Sequence, residues 1–306
     1  MDVILHIGAH RCATTSFQHY LRTNSTALAA DGTGFWGPLR TRSGLFDGVL
    51  PCPLTIGRRK PARAAGRIRL NLARSAANGV RRLVVSDENM LGSMRQNEIA
   101  CALYPASGER MARFRAAFGA DVTDVVLNIR SLDQYWASAL GHLASCGHPL
   151  PDRARLDRLT VSVRGWRDVV TDLACALPSA RLWVFPFETF AGRPDAQLAA
   201  MTGRPAPRLN NRVRRNPTPR LDDLRALRPD AGLPAGDARW MPFADDQVAH
   251  LRERYADDMM WLTSGADGLA WLMNDPEKTP ADLKPPGDDM TRGRPNDQDR
   301  RMAGAG

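Results

Sequence analysis

The chain has 306 residues, 43% of them hydrophobic and 25% charged, the balance of a folded globular protein rather than a disordered or fibrous one. No run of 18 apolar residues occurs, which excludes a membrane-spanning helix, and a domain of this size buries roughly 75% of its unfolded surface. The net charge of +9, carried almost wholly by arginine, suits an anionic ligand or partner.

Met1-Asp2 leads directly into Val3-Ile4-Leu5-His6-Ile7, a strand pattern over 2–7. With no basic leader and no cleavage site before it, the expected location is the cytoplasm. A helix follows, its apolar face marked by Phe17, Tyr20, Leu21 and Leu28. Residues 31–61, rich in Gly and Pro, read as one long loop, and a basic helix is expected over about 62–78. Short runs rich in Val and Ile at Arg82–Ser86 and Val122–Ile129 are the second and third strands, and Arg181–Phe185 the last, stopped by Pro186. Helices are expected near 109–118 and 132–146. Leu156, Leu159, Val163, Trp166, Val170, Leu173 and Leu177 recur three and four apart and predict one helix over 155–177, with Trp166 as a core anchor. A further helix is expected near 245–262.

This alternation predicts an α/β fold, three-layer αβα around a central parallel sheet. A single domain is expected over 1–275, and the polar, Pro-rich residues 276–306 read as a disordered tail. The five cysteines, Cys12, Cys52, Cys101, Cys146 and Cys175, are odd in number and widely spaced, so neither a disulfide framework nor a metal site is expected. Arginine is scattered rather than concentrated in one run, and nucleic acid is not expected as a partner.

Between the first strand and the first helix lies Gly8-Ala9-His10-Arg11-Cys12-Ala13-Thr14-Thr15-Ser16. A small-residue turn there lets backbone N–H groups and the helix N-terminus converge on an anion, with Thr14, Thr15 and Ser16 adding hydroxyls. The Walker A pattern G-x-x-x-x-G-K-[ST] is not met, because Ala13 replaces the second glycine and Thr14 the lysine. A triphosphate-cleaving enzyme is disfavoured; an ordinary capped helix start is the plain alternative.

The segment resembles the 5′-phosphosulfate loop of the sulfotransferase family, K-x-G-T-T, with Arg11 at the lysine and Ala13 at the glycine. Alanine suits that place only at negative φ. Arg130, closing the strand VVLNIR, and Ser138, eight residues on, match the family pair that holds the 3′-phosphate of the donor PAPS (3′-phosphoadenosine 5′-phosphosulfate). Asn211–Thr218 is similar to the late basic segment of bacterial members, with Arg212 and Arg215 as candidates. The resemblance spans about residues 1–262. It implies a P-loop-like loop after strand 1 and a donor site of Arg11, Cys12, Ala13, Thr14, Thr15, Ser16, Arg130, Ser138, Arg212 and Arg215. It further implies PAPS as donor, PAP as product, no metal, and transfer to a hydroxyl or amine acceptor, a carbohydrate or lipid-linked sugar among others.

Ser86-Asp87-Glu88-Asn89 ends the second strand at the edge where open parallel sheets bind ligands. Glu88 is the candidate base and Asp87 the runner-up, with His10 and His142 as alternatives; an ion pair or helix cap would equally employ these carboxylates. Phe35, Trp36, Arg40 and Arg42 could wall an acceptor or an adenine, or pin the loop to the core. Three other readings stand beside sulfuryl transfer: a PAP/PAPS-binding protein impaired in catalysis, a kinase-like protein with a degenerate Walker A, and a nucleic-acid binder.

Overall fold

The computed structural model describes residues 1–50 and 60–275. Six parallel strands form one sheet in the order β2-β3-β1-β4-β5-β6. They are β1 (Asp2–His6), β2 (Thr33–Trp36), β3 (Arg82–Ser86), β4 (Val122–Ile129), β5 (Arg181–Pro186) and β6 (Trp271–Leu272). The side-chain period of two divides each central strand between two cores. Val3, Leu5, Leu83, Val85, Val125 and Leu127 join one apolar cluster, while Ile4, Val84, Val126 and Phe185 join the other. The smaller cluster is covered by α1 (Thr14–Thr23), α2 (Ser25–Ala30) and α9 (Pro194–Thr202). The larger is covered by α3 (Lys60–Ala77), α5 (Ser107–Phe118), α6 (Leu132–Ser145), α8 (Trp166–Ala176), α10 (Leu221–Leu227) and α11 (Asp245–Thr263). Two shorter helices, α4 (Met94–Ala100) and α7 (Arg153–Thr160), flank the cleft and the larger core. The arrangement is α/β with helices on both faces of the sheet.

Three expectations are corrected. Residues 31–61 are not one loop, because Thr33–Trp36 pairs with β3 as an edge strand and Trp36 is 1% exposed. Arg40 stacks on the outer face of that indole at 4.5 Å, so Trp36 walls the core rather than a ligand. The helix expected over 155–177 is two helices broken at Val161–Gly165, with Val163 90% exposed. Gly165 gives the backbone room beside Asp258 of α11, whose carboxylate accepts from the N–H groups of Trp166 (2.8 Å) and Arg167 (3.1 Å). That long-range cap starts α8 afresh. The first helix likewise breaks at Asn24, whose side chain donates to Leu209 O at 2.9 Å. Cys52 and the expected tail over 276–306 lie outside the described residues. Among the described residues no helix is long and apolar enough to cross a membrane, and no group of His, Cys, Asp and Glu is placed to hold a metal ion.

Candidate functional site

The strand order reverses around β1, since β2 and β3 lie on one side of it and β4, β5 and β6 on the other. Such a switch opens a crevice at the carboxyl ends of the strands. A cleft of about 710 Å³ occupies it, within the usual range for ligand sites. Among the described residues, Arg11, Arg42, Arg95, Arg130, Arg214, Arg215 and Arg239 line it, against the single carboxylate of Glu88.

The turn after β1 is tight: Gly8, Arg11 and Ala13 all have positive φ, of 30°, 64° and 63°. A Cβ at position 8 would collide with Thr14 Cγ2, so glycine is required there. The expectation of negative φ at Ala13 is overturned. Alanine in the left-handed region costs about 1 kcal/mol or more. Ala13→Gly is therefore expected to stabilise the fold by up to about 1 kcal/mol in urea unfolding, after the looser unfolded chain is allowed for. An unchanged midpoint would mean the strain is relieved locally. As the N-cap of α1, Ala13 also offers no side-chain acceptor, and no other cap takes that role. The first-turn amides at Thr14–Ser16 are thus left without a cap, pointing their partial positive charge along the cleft.

Arg130 directly follows β4 and is 4% exposed. Its guanidinium lies over Phe187 at 4.1 Å, and Nη1 donates to Arg11 O at 3.2 Å. Its backbone oxygen accepts from the buried Trp166 indole at 2.8 Å, tying the strand end to the core anchor. Its Nε is buried with no partner among the described residues. Burial, then the neighbouring Arg130, pull the Arg11 guanidinium down to about 10. Two adjacent, desolvated cations with an unused donor are chemically suited to hold an anion. Arg11 Nε donates to Ser138 Oγ at 3.0 Å and Nη2 to Thr218 Oγ1 at 3.4 Å, while the two hydroxyls lie 2.7 Å apart.

The late segment closes the cleft. Arg215 N–H donates to Ser16 Oγ at 2.9 Å, and Arg214 and Arg215 both line the opening. Arg212 is exposed and does not line it. Cys12 is turned into the core, its N–H already donating to Ala9 O at 3.3 Å and its thiol pushed up to about 12 by burial. Ala13, Thr14, Thr15 and Ser16 all line the cleft.

Across from these groups stands Glu88. Its two carboxylate oxygens accept from Arg42 Nη2 at 2.9 Å and Gln18 Nε2 at 2.8 Å. Burial favours its neutral form, but the Arg42 guanidinium and the hydrogen bond from Gln18 outweigh it and hold the carboxyl below its ordinary range. Asp87 is buried and fully engaged by Thr41 (2.5 Å), Arg42 (2.7 Å) and the Asn89 N–H (3.0 Å), which makes it an anchor of this corner. His142 is half-buried on α6 beside Cys146, 3.7 Å from its Sγ. Sequence reasoning missed Thr218, Arg214, Arg239 and Phe187. Arg214 and Thr218 lie within the basic segment Asn211–Thr218 but were not singled out there, Phe187 directly follows β5, and Arg239 is brought to the cleft from further along the chain with no local pattern of its own.

No family model, curated protein or solved structure matches the chain.

Proposed function

We propose that the chain is a PAPS-dependent sulfotransferase. One observation carries the reading: Arg130, buried with an unpartnered Nε, shares one cleft with Ser138, Arg11 and an uncapped helix start. A nucleotide with phosphates at both the 3′ and 5′ positions suits two cationic subsites in this way. Arg130 and Ser138 would take the 3′-phosphate. The amides at Thr14–Ser16, with the Thr15 and Ser16 hydroxyls, would take the 5′-phosphosulfate. Arg214 and Arg215 supply further positive charge at the opening.

PAPS supplies a sulfuryl group with a good leaving phosphate. The protein's share is positioning and charge. Arg11 lies between the two subsites, where its guanidinium can neutralise charge developing on the bridging oxygen. To do so it must loosen its hold on Ser138 and Thr218, a commitment that also favours a second reading, a PAP-binding protein with impaired transfer. Glu88, ionised at neutral pH, takes the acceptor's proton, with Gln18 and Arg42 fixing its orientation.

Calorimetry with PAP, and with ATP plus Mg²⁺ for comparison, tests the donor site without knowledge of the acceptor. Micromolar binding of PAP, about 8 kcal/mol, with weaker binding of ATP is the expected result. Binding of ATP alone would sink the proposal in favour of a kinase-like protein. Tight PAP binding with no transfer from labelled PAPS to any acceptor would leave the second reading.

A further inference from the structure

We infer that His10 serves as a neutral hydrogen-bond donor to the transferring sulfuryl group, its Nε2–H directed outward by a relay of two buried tyrosines. The inference rests on the sulfuryl-transfer reading above, but the relay itself is independent of it.

The relay's polarity is set at its inner end. The Asn97 amide nitrogen can only donate, and it donates to Tyr135 Oη at 2.8 Å; the Asn97 amide oxygen accepts from Tyr104 N–H at 3.0 Å, which fixes the amide's orientation. Tyr135 is wholly buried, and its hydroxyl donates to Tyr104 Oη at 3.2 Å. Tyr104 Oη also accepts the His10 backbone N–H at 2.8 Å. Its own proton then goes to His10 Nδ1, 2.9 Å away. Nδ1 is thus an acceptor, and the ring proton sits on Nε2, 3.2 Å from Asn89 Oδ1. The opposite tautomer would strand the Tyr135 hydroxyl proton in the core without an acceptor, which burial makes costly.

His10 adjoins Arg11, and its Nε2 meets Asn89, the neighbour of Glu88. The imidazole edge shares the cleft with the cation that would receive the donor and the carboxylate that would take the acceptor's proton, and a sulfuryl oxygen there would take the Nε2–H in place of Asn89 Oδ1. In an in-line displacement the sulfuryl group crosses that place. Burial holds the ring below the ordinary imidazole range; of the charges facing it, Glu88 and Asp87 oppose this and Arg42 assists. A neutral imidazole that donates without ionising can stabilise developing negative charge and cannot accept the acceptor's proton at Nε2. The role of base falls to Glu88.

Nitrogen-15 NMR of the full chain with labelled histidine reads the tautomer directly. The expected result is a His10 ring protonated at Nε2 that takes up its second proton only below the range of an ordinary histidine. Tyr104→Phe removes the donor to Nδ1 and is expected to bring both tautomers into the spectrum. Calorimetry with PAPS and PAP then reads the contact: His10→Leu should weaken PAPS about tenfold more than PAP, and His10→Gln, which keeps an N–H donor, should recover most of that difference. A ring protonated at Nδ1, or an unchanged PAPS-to-PAP ratio in His10→Leu, overturns the assignment. If the unaltered protein binds neither nucleotide, the sulfuryl-transfer reading fails and His10's contact with it, while the NMR result still decides the relay.

Discussion

Arg130→Met is expected to weaken PAP binding by a hundredfold or more, about 3 kcal/mol, while leaving the melting temperature unchanged or higher. Both halves follow from the same geometry. A guanidinium that is 4% exposed has lost most of its hydration, and its recovered partners are a single carbonyl and the face of Phe187. No carboxylate forms an ion pair with it among the described residues, and its Nε has no acceptor. Burial accordingly pulls its pKa down. Such a cation costs the empty protein stability, and an apolar side chain of similar length removes that cost while keeping the stack on Phe187. For the ligand the balance is reversed. An anion restores two charge-assisted hydrogen bonds in a water-poor site, each worth about 1.5–3 kcal/mol. Calorimetry and a thermal melt on the one variant decide the matter. PAP binding that survives the substitution would remove Arg130 from the site, and a melting point lowered by many degrees would make it a structural residue instead.

The four central strands were legible because burial on both faces forces unbroken Val, Ile and Leu into short runs, a constraint that is local in sequence. The edges were not. β2 is Thr-Gly-Phe-Trp set between Gly32 and Gly37, a composition that reads as a turn, and only its pairing with β3 makes it a strand. β6 spans two residues and is defined by Trp183 and Val184 on β5. The break within 155–177 escaped the apolar spacing because that spacing continues through Val163, whereas the second helix is started by Asp258, 92 residues beyond Trp166. In the candidate site the loop and Arg130 with Ser138 carried recognisable spacing, and the structure brings them into one cleft. Thr218 could not be read that way: its part depends on a hydroxyl reaching Ser138 across 80 residues of chain. Arg212 and Arg215 looked equivalent in sequence, and only the path of the segment over Ser16 separates the one that lines the cleft from the one that does not.

Acid should destabilise the fold through His6, and a variant lacking that imidazole should lose this part of the pH dependence. His6 ends β1, 1% exposed, with Nδ1 2.7 Å from Ser86 Oγ and Nε2 2.7 Å from Asn128 Oδ1. Asn128 requires a donor, so Nε2 carries the proton; Ser86, which already accepts from Gln18 at 3.2 Å, then donates to Nδ1. Gln197 Nε2 also sits 3.0 Å from the ring and donates at 3.3 Å to the same Asn128 oxygen, which keeps that oxygen facing Nε2. The surroundings suit the neutral imidazole alone, and burial lowers its pKa to about 4. The sign is that of a depressed pKa. Between about pH 6.5 and 4 the unfolded chain binds a proton that the folded chain refuses, so stability is full above 6.5 and falls as the pH drops. With this shift the loss reaches about 3 kcal/mol by pH 4 and levels off below it. Urea unfolding of the unaltered protein and of His6→Asn across this range isolates the effect from carboxylates such as Glu88, which titrate in both. The two curves should draw together as the pH falls from 6.5 to 4. Parallel curves would mean that the ring accepts its proton in place, with Ser86 turning to receive Nδ1–H, and that the network from Glu88 through Gln18 and Ser86 to His6 can reverse its polarity.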